Sequence, residues 1–413
     1  MKRLEISLNL RLIDPRKVSY FIPWWDDYVD LNYDFESDRP TDGVKVTAHQ
    51  LYDSPPYDGI LVSKVKIEDN KKRMKQVVAK GIHKFLEFNG PIFGDCGAYG
   101  YIKEKDPPFN PRDIADYYND IKFDYGVSVD HLIVPAVEDE KEYRFGITIK
   151  NAEKFFHRHN EKGYDYVPVG AAQGWGTQSY REAVRELMDI GYDYIAIGGL
   201  TRSQTPEVMR IMQSVKEELP HERRIRVHLF GVARLNAIRE LRELGLTSFD
   251  SASHLRRAWL GAGSNYILPK MKGYSALRVP QSDLSPKARR IIQNRGISEE
   301  ELSEYEKGCM DLIRSYDKGE ADIDEVLEAL IWYDSLMGDS RNHADLYRKT
   351  LSERPWKQCK CRICTEWGVE VIVFRGNNRN RRRGFHNTRI FYDELQEKLG
   401  GTDRFQQARL DDL

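Results

Sequence analysis

The chain predicts an α/β fold, a (β/α)8 TIM-like barrel, and two patterns carry that prediction. From residue 59 onward, short apolar runs alternate with amphipathic segments of helical period, the pattern of parallel βαβ units. Acidic and glycine residues fall directly after those runs, at the strand ends where such a barrel carries its chemistry. The expected strands are Ile60–Val62, Ile92–Gly94, Gly126–Val129, Val167–Gly170, Tyr194–Ile197, Val227–Phe230 and Ser248–Phe249. Helices are expected near 70–88, 111–121, 147–161, 178–190, 205–219 and 235–244. This run of units favours a closed barrel over an open sheet. The eighth strand has no clear run. Four segments follow: an N-terminal cap over 1–58, the barrel over 59–284, a charged helical insertion over 285–350, and a C-terminal subdomain over 351–413 with a final helix near 392–399.

Composition sets limits on function. The chain has 413 residues, 40% of them apolar and 11% aromatic, enough for a large core. Charged residues make up 31% but balance to a formal net charge of -1, so a polyanionic partner must be met by local basic patches. Four of the five cysteines lie after residue 300 and Cys96 stands alone, which is no disulfide framework. The N-terminal MKRLEISLNL is not a signal peptide, and no apolar run reaches membrane-spanning length. A reducing, cytoplasmic location without membrane contact is expected.

The C-terminal motif Cys359-x-Cys361-x2-Cys364-x21-His386 supplies the ligands of a closed Cys3His structural zinc site. Four protein ligands leave no open position for catalysis. The alternative is three reduced, unmetallated thiols. Between Cys364 and His386 lie an apolar strand-like run, Val369 to Phe374, and a basic run, Arg375, Arg379, Arg381, Arg382 and Arg383. On a metal-pinned loop these arginines form a grip for phosphates; a solvated loop is the alternative.

Three carboxylates sit at strand ends: Asp95, Asp130 and Asp250. Each alone reads equally well as a helix N-cap. Together, beside Gln173-Gly174 and Gly198-Gly199, they read as a site that admits a flat ligand close to the backbone. Trp24 and Trp25 are candidates for base stacking or, with greater weight, for packing onto the barrel. His228 is a candidate pocket residue, His254 a helix-start residue, and Cys309 an ordinary helix residue.

These residues resemble the tRNA-guanine transglycosylase superfamily over most of 59–386. Asp95-Cys96-Gly97-Ala98 is similar to the family's Asp-Ser-Gly-Gly segment, Gln173-Gly174 to its Gln-Gly, Ile197-Gly198-Gly199-Leu200 to its Ile-Gly-Gly-Leu, and Phe249-Asp250-Ser251 to its Phe-Asp segment. The Cys-x-Cys-x2-Cys…His set is similar to its zinc site, and the order along the chain is the same. There are departures: Cys96 and Ala98 replace Ser and Gly, Trp175 follows Gln173-Gly174, the Cys364-to-His386 gap differs from that of the bacterial tRNA enzymes, and no Cys follows Asp250. With His228-Leu229-Phe230-Gly231-Val232-Ala233-Arg234, these features resemble the DNA-acting branch, the DpdA-type 7-deazaguanine transglycosylases.

The resemblance implies a base exchange in DNA that inserts 7-cyano-7-deazaguanine in place of guanine, with structural zinc and no nucleotide cofactor. It implies that Asp250 is the nucleophile and Asp95 the general acid and base. Asp130 would read the base's N1–H and exocyclic amine, while Gln173 and the Gly198-Gly199 backbone bind its carbonyl. The partner is DNA, with tRNA as the alternative polymer, and an ATPase that opens the duplex is a candidate partner. Two further readings compete: a non-catalytic nucleic-acid-binding subunit, against which both Asp95 and Asp250 speak, and a metal-dependent hydrolase barrel, which would need His pairs at strand ends.

Overall fold

The computed structural model describes residues 11–14, 17–220, 222–260, 263–282, 290, 293, 294, 296–337 and 342–400. The chain divides into two compact units, one built on residues 11–26 and 57–252, the other on 27–56 and 253–394.

The first unit is a closed barrel of eight parallel strands. In chain order these are β1 (Ser19–Pro23), β2 (Gly59–Ser63), β3 (Ile92–Asp95), β4 (Tyr125–Val127), β5 (Val167–Ala172), β6 (Tyr194–Ile197), β7 (Arg226–Leu229) and β8 (Leu246–Asp250). Each strand pairs with its sequence neighbour, and β1 closes the ring. It pairs with β8 through Ser19–Ser248, Tyr20–Phe249 and Phe21–Asp250, and with β2 through Phe21–Gly59.

The strand missing from the sequence reading is therefore β1, and the expected boundary at 59 is corrected. Residues 11–26 belong to the barrel rather than to a cap. Ser19 to Ile22 are buried because a closed barrel covers both faces of every strand. Gly59 makes the closure possible: a Cβ there would lie 2.2 Å from the Phe21 ring.

Helices cover the outside. Helix Pro111–Ile121 shows why they start and stop where they do. The Asn110 side chain caps it by accepting from Arg112 N at 2.9 Å, Pro111 fills its first turn, and Lys122 ends it in the left-handed region. Its buried face, Ile114, Ala115, Tyr118 and Ile121, recurs at helical period. The expected helix near 70–88 is two, Lys71–Lys80 and Ile82–Leu86, broken at Gly81.

Inside the barrel, Phe21, Leu61, Phe93, Tyr125, Val127, Val169, Ala171, Tyr194 and Ala196 form one core cluster, with Ile13 packed among them. Strand side chains alternate faces with period two. The inward set therefore steps from Phe93 to Asp95, from Ala171 to Gln173, and from Ser248 to Asp250. Each step ends in a polar group at the C-terminal mouth.

The second unit is mainly helical. Glu299–Lys318 opens with a reciprocal cap between Ser298 and Glu301, followed by Ile323–Leu336, Ala344–Glu353 and Gly376–Lys398. Cys309 is buried within the first of these, an ordinary helix residue as expected. The Val369–Phe374 run is a 3-10 turn, Gly368–Val371, and a two-residue strand, Val373–Phe374.

The arginine run is corrected. Arg379, Arg381, Arg382 and Arg383 lie on helix Gly376–Lys398, not on a loop, and Arg375, Arg379, Arg382 and Arg383 are buried. Arg375 and Arg379 pair with Asp38, Arg375 also with Glu306, and Arg379 with Glu370 at 2.7 Å. Arg382 stacks on Trp367 with its guanidinium carbon 3.8 Å from the ring centroid. Arg383 donates to the carbonyls of Ala258, Val371 and Val373. Guanidinium groups buried in this way pack within the second unit and are not offered to phosphates.

No helix among the described residues is long and apolar enough to cross a membrane.

Candidate functional site

All six residues expected to act on the base lie at the same end of the barrel, because each terminates a strand or lies within three residues of its end. Asp95 and Asp250 are the last residues of β3 and β8. Asp130, Gln173 and Gly198-Gly199 follow β4, β5 and β6.

Gln173 joins two of these positions. Its Nε2 donates to Asp130 Oδ2 at 2.6 Å, and its Oε1 accepts from Ile133 N at 3.4 Å. A Cβ on Gly198 would lie 2.2 Å from Gln173 Nε2, so only glycine admits the amide there. Gly199 has φ +81, the left-handed region, and a Cβ would meet both Ile133 O and Tyr180 Oη at 2.9 Å. Tyr180 Oη donates to Gly198 O at 2.8 Å and fixes this turn from behind.

Asp95 accepts from Ser63 Oγ at 2.9 Å. Burial raises its carboxyl, Asp250 adds to the rise, and the Ser63 bond opposes it. Asp130 is pushed up to about 7, first by burial and then by the charge of Asp95, against the Gln173 hydrogen bond. Asp250 Oδ1 accepts from Gly231 N at 2.9 Å and lies 3.1 Å from His228 Nε2. Three carboxyl groups in one mouth, two of them held above the usual range, can divide acid and nucleophile roles between them. Cys96 is buried beside Asp95, its Sγ 3.6 Å from Tyr118 Oη, and its thiol is raised by burial. That leaves it protonated and a poor nucleophile.

The raised carboxyl of Asp130 has a measurable consequence. A native pKa near 7 against about 3.9 unfolded means that the folded state holds the proton more tightly. The stabilisation from that proton is full below pH ~4 and is lost as pH rises to 7. Asp130→Asn carries no charge to bury. It should match the wild-type melting temperature at pH 4 and exceed it at pH 8, by at most about 4 kcal/mol in stability. An equal difference at both pH values in calorimetric scans would contradict the shift.

Sequence reasoning missed the supporting groups Ser63, Tyr180, Tyr194, Ser248 and the Gly231 amide. Ser63 had a signal, standing at the end of the first apolar run, and Gly231 lay within the His228-to-Arg234 segment. The tryptophans divide. Trp24 is buried against Phe85 under Arg73, and Trp25 is 44% exposed with Lys66 Nζ 4.8 Å from its ring centroid. His254 is buried in a short helix, Ser253–Arg257, and stacks on Phe391 at 4.0 Å.

In the second unit, the ligand atoms of Cys359, Cys361, Cys364 and His386 all lie within 4.8 Å of one another. His386 Nδ1 is 3.3 Å from Cys361 Sγ, 3.4 Å from Cys364 Sγ and 3.7 Å from Cys359 Sγ. A tetrahedral zinc ion with ordinary Zn–S and Zn–N bonds sets S···N edges of about 3.6 Å. The donor set therefore fits a metal ion. His386 Nε2 donates to Ile267 O at 2.7 Å, which leaves the Nδ1 lone pair facing the three sulfurs. The imidazole stacks on Tyr266 at 4.1 Å. Among the described residues this is the one group of three or more His, Cys, Asp or Glu side chains that could hold a metal ion.

Comparison with known proteins agrees with this architecture. The family model described as TGT, queuine tRNA-ribosyltransferase, matches residues 41–264. A DNA-guanine transglycosylase of Salmonella montevideo is 31% identical over 411 residues, covering 93% of this chain and 98% of the relative. A tRNA-guanine(15) transglycosylase of Nanoarchaeum equitans is 29% identical over 188 residues, 44% of each chain. A queuine tRNA-ribosyltransferase of Psychromonas ingrahamii is 26% identical over 207 residues, 45% of this chain and 55% of the relative. With an eight-stranded barrel, a carboxylate-lined mouth and a family match over more than half its length, the chain belongs to the TGT, or queuine tRNA-ribosyltransferase, family of pentosyltransferases.

Proposed function

We propose that this protein exchanges guanine in DNA for a 7-deazaguanine, 7-cyano-7-deazaguanine, through a covalent ester between Asp250 and the sugar. The observation that carries the reading is the convergence of Asp95 and Asp250 on one mouth of the barrel, at the ends of β3 and β8, close enough that the charge of Asp250 raises the Asp95 carboxyl. Asp250 attacks C1′ of the deoxyribose. The C1′–N9 bond breaks and its electron pair leaves with guanine, which takes a proton from Asp95. The incoming base gives its N9 proton to Asp95, its nitrogen attacks C1′, and the Asp250 ester bond breaks. Two inversions retain configuration.

Guanine and its 7-deaza analogues share the edge that such a pocket would read. Asp130 accepts from N1–H and the exocyclic amine, and Gln173 with the Gly199 amide donates to the carbonyl. One pocket then serves both halves of the exchange. Asp130→Asn presents an amide donor where an acceptor is needed, and its guanine affinity drops even where its stability rises. The Cys359, Cys361, Cys364 and His386 cluster holds zinc in a purely structural role, with all four positions taken by protein. A base within a duplex is out of reach, so the substrate is single-stranded, flipped, or opened by a partner such as an ATPase.

DNA is favoured over tRNA by extent of similarity. The relative named for DNA aligns along nearly the whole of both chains, while those named for tRNA align over about half of this one. The test supplies labelled guanine with single-stranded DNA and, separately, with tRNA. Label should enter DNA, with binding that weakens steeply as salt rises. Label in tRNA with none in DNA assigns the polymer to tRNA and keeps the exchange chemistry.

A further inference from the structure

A chain of hydrogen bonds runs beneath Asp250 into the barrel. His228 Nε2 lies 3.1 Å from Asp250 Oδ1, and His228 Nδ1 lies 2.7 Å from Ser248 Oγ. Ser248 Oγ lies 2.5 Å from Tyr194 Oη. The Gly231 amide also donates to Asp250 Oδ1, at 2.9 Å. An oxygen accepting from a backbone amide and carrying the charge of a nucleophilic carboxylate has no proton to give, so His228 Nε2 is the donor. In the neutral imidazole Nδ1 is then the acceptor, Ser248 donates to it, and Tyr194 donates to Ser248. All donors point one way, toward the carboxylate.

The ring cannot turn to break this order. Phe93 stacks on it at 5.0 Å, and Phe230 and Phe21 meet it edge-on at 4.8 and 6.1 Å. The register is also built for it. The β7–β8 ladder pairs Val227 with Leu246 and then His228 with Ser248, so Thr247 is an extra residue. Thr247 Oγ1 bonds both N and O of Val227, at 3.0 and 2.9 Å, and locks the bulge. Such a bulge re-aims the side chains that follow it.

Resting on the assignment of Asp250 as nucleophile, we propose that His228 is a positioning residue that anchors Asp250 by Oδ1, so that Oδ2 is the atom that attacks C1′. Both donors among the described hydrogen bonds fall on Oδ1. When Oδ2 bonds to C1′, Oδ1 becomes the ester carbonyl and its hydrogen bonds weaken. When the second base displaces the ester, charge returns to the carboxylate and they strengthen. The imidazole N–H therefore favours the second half-reaction over the first.

The test compares His228→Leu, His228→Gln, Ser248→Ala and Asp250→Asn in exchange of labelled guanine into a single-stranded DNA oligonucleotide. His228→Leu should lower turnover on the order of 10- to 100-fold with KM for guanine little changed. More covalent protein–DNA adduct should survive denaturation, because release of the ester is the slowed step. Gln carries an amide N–H near the place of Nε2 and should restore most of the turnover. Ser248→Ala should give a smaller fall of the same kind, and serves if His228→Leu does not fold. His228→Leu at wild-type turnover, or less adduct rather than more, overturns the proposal while Asp250→Asn stays inactive. An active Asp250→Asn would instead overturn the nucleophile itself.

Discussion

Asp250→Asn should abolish base exchange, lowering turnover on the order of 10³-fold or more, while the protein stays folded. The carboxamide is nearly isosteric. Its Oδ1 can still accept from the Gly231 amide, so the local frame is kept. Removing a charge from a residue that is 6% exposed carries no desolvation cost of its own. What disappears is nucleophilicity. An amide oxygen has no full negative charge, and its attack on C1′ would give an imidate rather than an ester that returns a carboxylate. The adduct with DNA should vanish on denaturing gels, and the melting temperature should stay within a few degrees of wild type. Turnover near wild type, or an adduct mapped to another residue, would remove Asp250 from the mechanism. The variant also separates the enzyme from a non-catalytic nucleic-acid-binding subunit, which would bind DNA equally well with either residue.

Much of this site was legible because strand geometry leaves a periodic trace. Seven strands appear as apolar runs, since a closed parallel barrel buries both strand faces. The groups at their ends appear as the first polar residues after each run. The strand that closes the ring, Ser19–Pro23, was not legible. It ends in proline and is followed by residues 27–56, which belong to the other unit. The relay behind Asp250 was also hidden. It depends on a one-residue bulge at Thr247, and nothing in Leu246-Thr247-Ser248 announces a change of register. The arginine run misled for a different reason. A charge run reads as solvated, yet Arg379, Arg382, Arg383 and His386 stand at i, i+3, i+4 and i+7, one face of a helix. That face is buried, and period carried the information that composition obscured.

The same face carries His386, the fourth donor of the metal-capable cluster, and Cys361→Ser should show that a metal held there is structural. His386 is anchored at Nε2 by Ile267, while its Nδ1 faces three buried sulfurs. Cys359 follows helix Pro355–Gln358, Cys361 caps helix Arg362–Trp367 and Cys364 lies within it, so an ion there ties these two short helices to Gly376–Lys398. Helices of four and six residues have little stability of their own. The wild type should contain about one zinc per chain, as four closed ligands imply. Serine is a far weaker ligand than thiolate, so Cys361→Ser should lose most of the metal and lower the melting temperature by about 10 °C or more. Chelation of the wild type should reproduce the loss. Cys309→Ser is the matched control: Cys309 is buried in the same unit, with its Sγ 3.4 Å from Ala329 O, and takes no part in the cluster. Its zinc content should not change. A Cys361→Ser protein that keeps full zinc, or that loses zinc and melts as the wild type does, would refute a structural metal at this site.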